Sequence, residues 1–98
     1  MVNRVSLAEH NELHRRIQSI YGPVGEGEWH HTQTQAIDFI EGLRFSYFIV
    51  KDGRPVRLVV GRTLAGEKFL KTEHDSDVPI LLLQLPSTLP AIHQPQLV

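Results

Sequence analysis

Apolar positions recur with helical spacing from Ser6 to Tyr21, and this pattern predicts an amphipathic helix. Ser6 and Glu9 have the spacing of a capping box, which favours a helix start at Ser6. The Gly22-Pro23 pair combines a residue that ends helices with one that cannot continue them. We therefore predict a first helix that ends at Tyr21.

A second helix is predicted directly after Thr32. Thr32 and Gln35 again form a capping-box pattern, and Ala36, Ile37 and Ile40 supply a buried stripe. Gly42 is the expected left-handed stop. A helix this short is marginal alone in water, so it must pack on a sheet.

Alternating apolar residues predict two strands, Phe45–Lys51 and Arg54–Gly61, joined by the hairpin turn Asp52-Gly53. A two-residue turn fixes the register, so that Ile49 opposes Val56. One face of the sheet is then apolar and is the predicted core. This core face comprises Phe45, Tyr47, Ile49, Val56, Leu58 and Val60.

A third strand is predicted over Glu67–Thr72, returning through a short loop. In that arrangement Leu70 joins the core face beside Val60. Phe69 lies across from Gly61 on the second face, where an aromatic ring covers the gap left by a glycine.

The closing segment Ile80–Leu85 is too apolar to be solvated, and Pro79 is compatible with either a helical turn or a short strand. From Pro86 onward the chain is rich in proline. We predict a single α+β domain over residues 1–86 and an extended tail over residues 87–98. The domain has two helices and a three-stranded antiparallel meander, in the order α-α-β-β-β, with the leucine segment docked at the edge.

Composition places this chain among globular proteins, because 41% of its residues are hydrophobic and 21% are charged. The absence of cysteine excludes disulfides, thiolate zinc sites and cysteine nucleophiles. No apolar run approaches the ~20 residues of a membrane-spanning helix, and the N-terminal residues lack a signal-peptide pattern. The prediction is a cytoplasmic protein without a membrane partner.

Charge is distributed unevenly along the chain. The net charge is −1, yet the stretch from Arg44 to Lys71 contains seven Lys or Arg residues and two acids. Strand edges and hairpin tips carry such cations to prevent aggregation. The same asymmetry is also compatible with a nucleic-acid surface, so both interpretations stay open.

The stretch from residue 32 to 86 resembles a family of small bacterial domains of unknown function. Members have a helix of the form EAI-x-x-I-x-x-G, a β-hairpin, a YLKT-like strand and a closing L-x-x-LP. The matching residues here are Gln35–Gly42, Lys68–Thr72 and Leu82–Pro86. The family has asparagines before the closing leucines, where this chain has Val78-Pro79-Ile80. The resemblance implies a fold and no activity.

The second face of the predicted sheet is the main candidate site, because it combines aromatic rings with cations. It carries Arg44, Phe48, Arg57, Phe69 and Lys71. Helix one packing there would make it structural. If uncovered, it suits a protein partner or a second copy of the chain, and also a single-stranded nucleic acid whose bases stack on the rings.

His10 and His14 are four residues apart in the predicted first helix, a spacing that lets two imidazoles share a metal ion. The intervening Glu12 does not fit a known zinc-helix motif. The alternative is that both histidines border a packing face and bond to backbone or water. No cofactor is predicted.

Motifs for enzymatic chemistry are missing from the sequence. Nucleophile elbows, phosphate-binding loops and dinucleotide fingerprints are absent. Asp75 and Asp77 follow a strand and are interpreted as turn formers, and Trp29 as a ring that seals the core edge. The sequence therefore favours a small non-enzymatic interaction module, with nucleic-acid binding and a histidine metal site as alternatives.

Overall fold

A computed structural model describes residues 1–88, and the predicted tail lies outside the described residues from residue 89 onward. The fold is mostly β. Two three-stranded antiparallel sheets, the first of them extended at its edge by a short parallel strand, are connected by one nine-residue helix. The elements are β1 (Arg4–Leu7), a 3-10 turn (Leu13–Arg15), β2 (Ile17–Val24), β3 (Gly27–Thr32), α1 (Gln33–Glu41), β4 (Phe48–Lys51), β5 (Arg54–Arg62), β6 (Lys68–Thr72), α2 (Ile80–Leu83) and β7 (Ser87–Thr88).

The predicted α-α-β-β-β order is wrong, because helix one does not form. Its residues belong to β1, the 3-10 turn and β2. Strands β1 and β2 pair antiparallel, with Val5 opposite Ile20. Ser6 caps no helix and lies buried in β1. The predicted stop at Gly22 lies inside β2, where Gly22 pairs with Trp29 of β3. A side chain at Gly22 would collide with the Trp29 ring and the Met1 carbonyl, so glycine serves close packing there.

The prediction of a capped second helix is confirmed. The Thr32 hydroxyl accepts from the Gln35 amide at 3.1 Å, and the Gln35 side chain accepts from the Thr32 amide at 2.9 Å. The predicted left-handed stop is one residue out of place. Gly42 has φ −83°, and Leu43 takes the left-handed conformation with φ +58°.

The hairpin register is confirmed, with Ile49 opposite Val56 and positive φ at both Asp52 and Gly53. The third strand also pairs as predicted: Leu70 lies beside Val60 and Phe69 across from Gly61. The first strand of the hairpin begins at Phe48, three residues later than predicted.

Four of the six predicted core residues of the hairpin are buried, namely Tyr47, Ile49, Val56 and Leu58. Val60 is half-buried against the core. The prediction that Phe45 is a core residue is wrong, because Phe45 precedes the strand and half of its surface is exposed.

Helix α1 lies between the two sheets and shares their core. The side-chain Nε2 of Gln33 donates to the Ile17 carbonyl of β2 at 3.1 Å. The Oε1 of the same side chain accepts from the Leu70 backbone amide of β6 at 2.8 Å. The Val2 amide donates to the Phe48 carbonyl at 2.6 Å, which adds a second link between the sheets.

The leucine segment forms the short helix α2, which settles the alternative that the sequence left open. Leu82 is fully buried in the core. After it, Ser87 and Thr88 pair in parallel with β1. Within residues 1–88, no helix has both the length and the apolar content to cross a membrane.

Candidate binding surface around residues 43–48

Residues 43–48, called the connector here, carry the chain from α1 to β4. The connector begins with a Schellman motif: the Leu43 amide donates to the Ile40 carbonyl at 3.1 Å, and the Arg44 amide donates to the Phe39 carbonyl at 2.8 Å. This motif requires a left-handed residue at Leu43. Its geometry directs the connector away from the helix and across the end of the second sheet.

Three large apolar side chains of the connector are exposed. The exposed fractions are 93% for Leu43, 51% for Phe45 and 37% for Phe48. Tyr47, between the two phenylalanines, is buried. Because single exposed apolar residues are common, the informative feature is that three of them fall within six residues.

A cleft of about 210 Å³ opens beside the connector and is called the arginine cleft. Two arginines, Arg44 and Arg57, line it, and no acidic residue does. Both arginines are exposed. The remaining lining residues are Ile40, Leu43, Phe45, Ser46 and Leu58. The lining of the cleft thus combines apolar walls with two arginines.

On the other side of Phe45, five rings form an aromatic cluster around His31. The ring centroid of His31 lies 5.2 Å from that of Trp29, 5.0 Å from that of Phe39 and 5.7 Å from that of Phe45. Tyr47 completes the cluster with its hydroxyl 2.7 Å from the His31 Nδ1. Strand β3 supplies Trp29 and His31 at alternate positions, and the connector supplies Phe45 and Tyr47 in the same way.

This cluster borders a second cleft, of about 370 Å³, called the aromatic cleft. Its lining residues are Met1, Trp29, His31, Phe45, Ser46 and Tyr47. Burial, together with the neighbouring His30, lowers the pKa of His31. Burial also raises the pKa of Tyr47 to about 12. Both side chains are therefore neutral near pH 7.

The structure brings together only part of the predicted second-face site. Arg44 and Arg57 share the arginine cleft, and Phe48 pairs with Arg57 across the hairpin. Phe69 is 1% exposed, covered by His14 of the 3-10 turn with ring centroids 5.7 Å apart. The Lys71 ammonium donates to the Ser76 carbonyl at 2.6 Å. Phe69 and Lys71 thus have structural contacts away from the clefts.

Although Phe48 and Arg57 pair across the hairpin, they make no cation–π contact within residues 1–88. The cation–π contact found in residues 1–88 joins Arg4 to Tyr21, at 3.9 Å from the ring centroid. Arg57 instead uses its backbone, whose amide donates to the Glu73 carboxylate at 3.0 Å. The Arg57 guanidinium is left exposed beside the arginine cleft.

His10 and His14 do not share a helix, because His10 lies in the loop before the 3-10 turn that holds His14. The His10 Nδ1 accepts from the Glu12 amide at 3.1 Å. The His14 Nε2 lies 3.4 Å from the Glu67 carboxylate, in an ion-pair approach that lacks hydrogen-bond geometry. No group of three or more potential metal ligands occurs in residues 1–88.

The sequence interpretation missed Trp29, His31 and Tyr47 as parts of one cleft. The signal was present as an aromatic residue at every second position, in Trp29-His30-His31 and again in Phe45-Ser46-Tyr47. Two such runs place their rings on one face each if both are extended. The first run precedes the predicted second helix and was not predicted as a strand, so its face was not compared with that of the second run.

Comparison of the chain with family models, curated proteins and solved structures found no match. The resemblance to the small bacterial domains is therefore neither confirmed nor contradicted, and it stays a prediction.

Proposed function

We propose that this chain is a small non-enzymatic interaction module that binds a partner protein through the connector and the arginine cleft. The observation that carries the proposal is the exposure of Leu43 together with its left-handed backbone. Its side chain is 93% exposed, and its backbone has a φ of +58°, which L-residues other than Asn and Asp rarely adopt. The cytoplasmic location expected from the sequence is part of this proposal.

A leucine at position 43 brings two costs to the free protein that a glycine in the same Schellman motif would avoid. A left-handed L-residue costs about 1–2 kcal/mol, which glycine would avoid. An exposed leucine also leaves its apolar surface in water. The motif needs the left-handed conformation but not a leucine, and backbone strain of this kind is typical of functional positions. A partner that buries Leu43 would supply the missing contact.

The lining of the arginine cleft indicates the chemistry of this partner. Arg44 and Arg57 are unopposed there by any lining acid, so a carboxylate is the complementary group. Leu43 and Phe45 beside them favour an apolar residue. We therefore expect the partner to present an apolar side chain flanked by Asp or Glu.

A second copy of the chain is disfavoured as the occupant. A symmetric dimer would place the connector of one copy on the connector of the other. The arginine clefts, each with Arg44 and Arg57, would then face each other, and like charges across an interface are repulsive. Single-stranded nucleic acid is weakened as an alternative because Phe69 is buried and Lys71 is held by backbone carbonyls.

The test is a selection from a random peptide library displayed against the full chain. We expect the enriched peptides to share an apolar residue next to Asp or Glu. Binding of a selected peptide should weaken about 5–30-fold in Leu43→Gly, the equivalent of roughly 1–2 kcal/mol. Leu64→Gly is the matched control, because Leu64 is equally exposed but lies in the β5–β6 loop.

Charge is tested separately with Arg57→Glu and its control Arg54→Glu, which changes an exposed arginine at the hairpin tip. Only the first should abolish binding of the acidic peptides. Enriched peptides without acidic residues, or equal losses in both variants, would contradict the proposal. Salt-dependent binding of single-stranded oligonucleotides in place of peptides would favour the nucleic-acid alternative.

A further inference from the structure

We infer that the aromatic cleft is a binding site for a small, planar heteroaromatic molecule that carries no positive charge and has a hydrogen-bond acceptor. This site is a separate cleft from the arginine cleft and has a different chemistry. The inference does not depend on the proposed partner protein, although Phe45 and Ser46 line both clefts.

The walls of the cleft suit a flat ring. Trp29, Phe45 and Tyr47 line it, and aromatic rings attract one another in offset-stacked or edge-to-face arrangements. Its volume of about 370 Å³ falls within the roughly 300–1,000 Å³ of pockets for small molecules. Half of the Phe45 surface is exposed, so one wall is free to contact a ligand.

The lining also argues against a positively charged ligand. No Asp or Glu lines the cleft, so a cation would find no counter-charge there. His31 and Tyr47 are the ionisable side chains of the lining. Burial favours the neutral form of both side chains, because it lowers the pKa of His31 and raises the pKa of Tyr47.

The contact with the Tyr47 hydroxyl determines which nitrogen of the His31 ring carries the proton, and therefore which nitrogen can donate a hydrogen bond to a ligand. A buried hydroxyl needs an acceptor, and the partner described for Tyr47 is the His31 Nδ1 at 2.7 Å. When Nδ1 accepts, a neutral imidazole carries its proton on Nε2. Within residues 1–88 the hydrogen bond described for the His31 ring is the one at Nδ1, so its Nε2 is available to donate to a ring nitrogen or a carbonyl of the ligand.

The experiment uses the full chain and nicotinamide as the probe, followed by ¹⁵N NMR. Trp29 is the single tryptophan of the chain, so one indole N–H signal reports on the cleft. We expect nicotinamide to shift this signal in a saturable manner in the millimolar range, as suits a very small ligand. Cyclohexanecarboxamide, which is not planar, and the N-methylnicotinamide cation should bind at least about tenfold more weakly.

Variants locate the binding site. Phe45→Leu should weaken nicotinamide binding about 3–10-fold, and because Phe45 is half exposed the fold should tolerate the change. Phe48→Leu is the matched control, since Phe48 is an exposed connector phenylalanine outside the aromatic cleft. His31→Phe should weaken binding while keeping a ring at that position. Leu43→Gly should leave nicotinamide binding unchanged, which separates this site from the proposed partner surface.

An indole signal that stays in place at about 20 mM nicotinamide would overturn the inference, because ligands of this size seldom bind more weakly in a formed pocket. Equal shifts by cyclohexanecarboxamide would show general apolar contact in place of ring recognition. Equal weakening in Phe45→Leu and Phe48→Leu would place the ligand elsewhere on the connector.

Discussion

At the scale of single residues, Gln33 joins the two sheets through both ends of its side-chain amide. Replacing it with leucine would leave the Ile17 carbonyl and the Leu70 amide without these partners. We expect Gln33→Leu to lower the free energy of unfolding by about 2–3 kcal/mol, since each buried group left unpaired costs roughly 1–3 kcal/mol. Chemical denaturation measures the change.

The matched control is Gln18→Leu, which changes an exposed glutamine on β2. A surface substitution of this kind should change the free energy of unfolding by less than about 0.5 kcal/mol. Equal losses in the two variants would show that Gln33 does not act through its two backbone partners.

Leu43 provides a second prediction at this scale. Leu43→Gly should raise the free energy of unfolding by about 0.5–1 kcal/mol, because glycine relieves the left-handed strain at φ +58° and loses part of the gain to chain entropy. Leu64→Gly relieves no such strain and should be neutral or destabilising. A loss of stability in Leu43→Gly equal to that in Leu64→Gly would contradict the interpretation of Leu43.

At the scale of elements, α1 depends on its N-cap. Thr32→Ala removes the hydroxyl that accepts from the Gln35 amide and should cost about 1 kcal/mol of stability. Thr34→Ala, in the first turn of α1, removes an exposed hydroxyl that has no capping role and should be neutral or slightly stabilising, because alanine has the higher helix propensity. The two midpoints of denaturation give the comparison, and Thr32→Ser should recover most of the loss.

Elements with local signals were predictable from the sequence. The capping box at Thr32 and the Asp52-Gly53 turn each act within four residues, and both formed as expected. The short loop between β5 and β6 likewise gave the predicted pairing of Leu70 with Val60. These parts of the chain contain the whole second sheet.

The prediction of helix one was wrong because the pattern of apolar residues in this stretch is compatible with two structures. Val5, Leu7, Ile17 and Ile20 are buried, and their spacing also fits two strand faces. What decides between them is pairing with β3, which is a long-range contact that no local window contains. The capping-box match at Ser6 therefore had no helix to cap.

The candidate site was only partly predictable for the same reason. Arg44 and Arg57 were predicted as members of a sheet face that combines aromatic rings with cations, and both line the arginine cleft. The aromatic cleft needs β3 beside the connector, and this neighbourhood depends on β2 and β3 pairing as strands. A sequence interpretation that assigned β2 to a helix had no way to assemble Trp29 and His31 with Tyr47.

At the scale of the whole molecule, Arg15 of the 3-10 turn and Glu67 beside β6 tie the N-terminal region to the second sheet, in a bidentate pair with N–O distances of 2.8 and 2.6 Å. The hydrogen bond from Arg15 lowers the pKa of Glu67, so the pair stabilises the fold above the unfolded pKa of glutamate. This contribution should be lost as the pH falls through the lowered folded pKa.

We expect Glu67→Gln and Arg15→Gln each to reduce the fall in the free energy of unfolding at acid pH. The double variant should have little effect beyond that of either single variant. Additive effects in urea denaturation at pH 7 and pH 3 would contradict coupling.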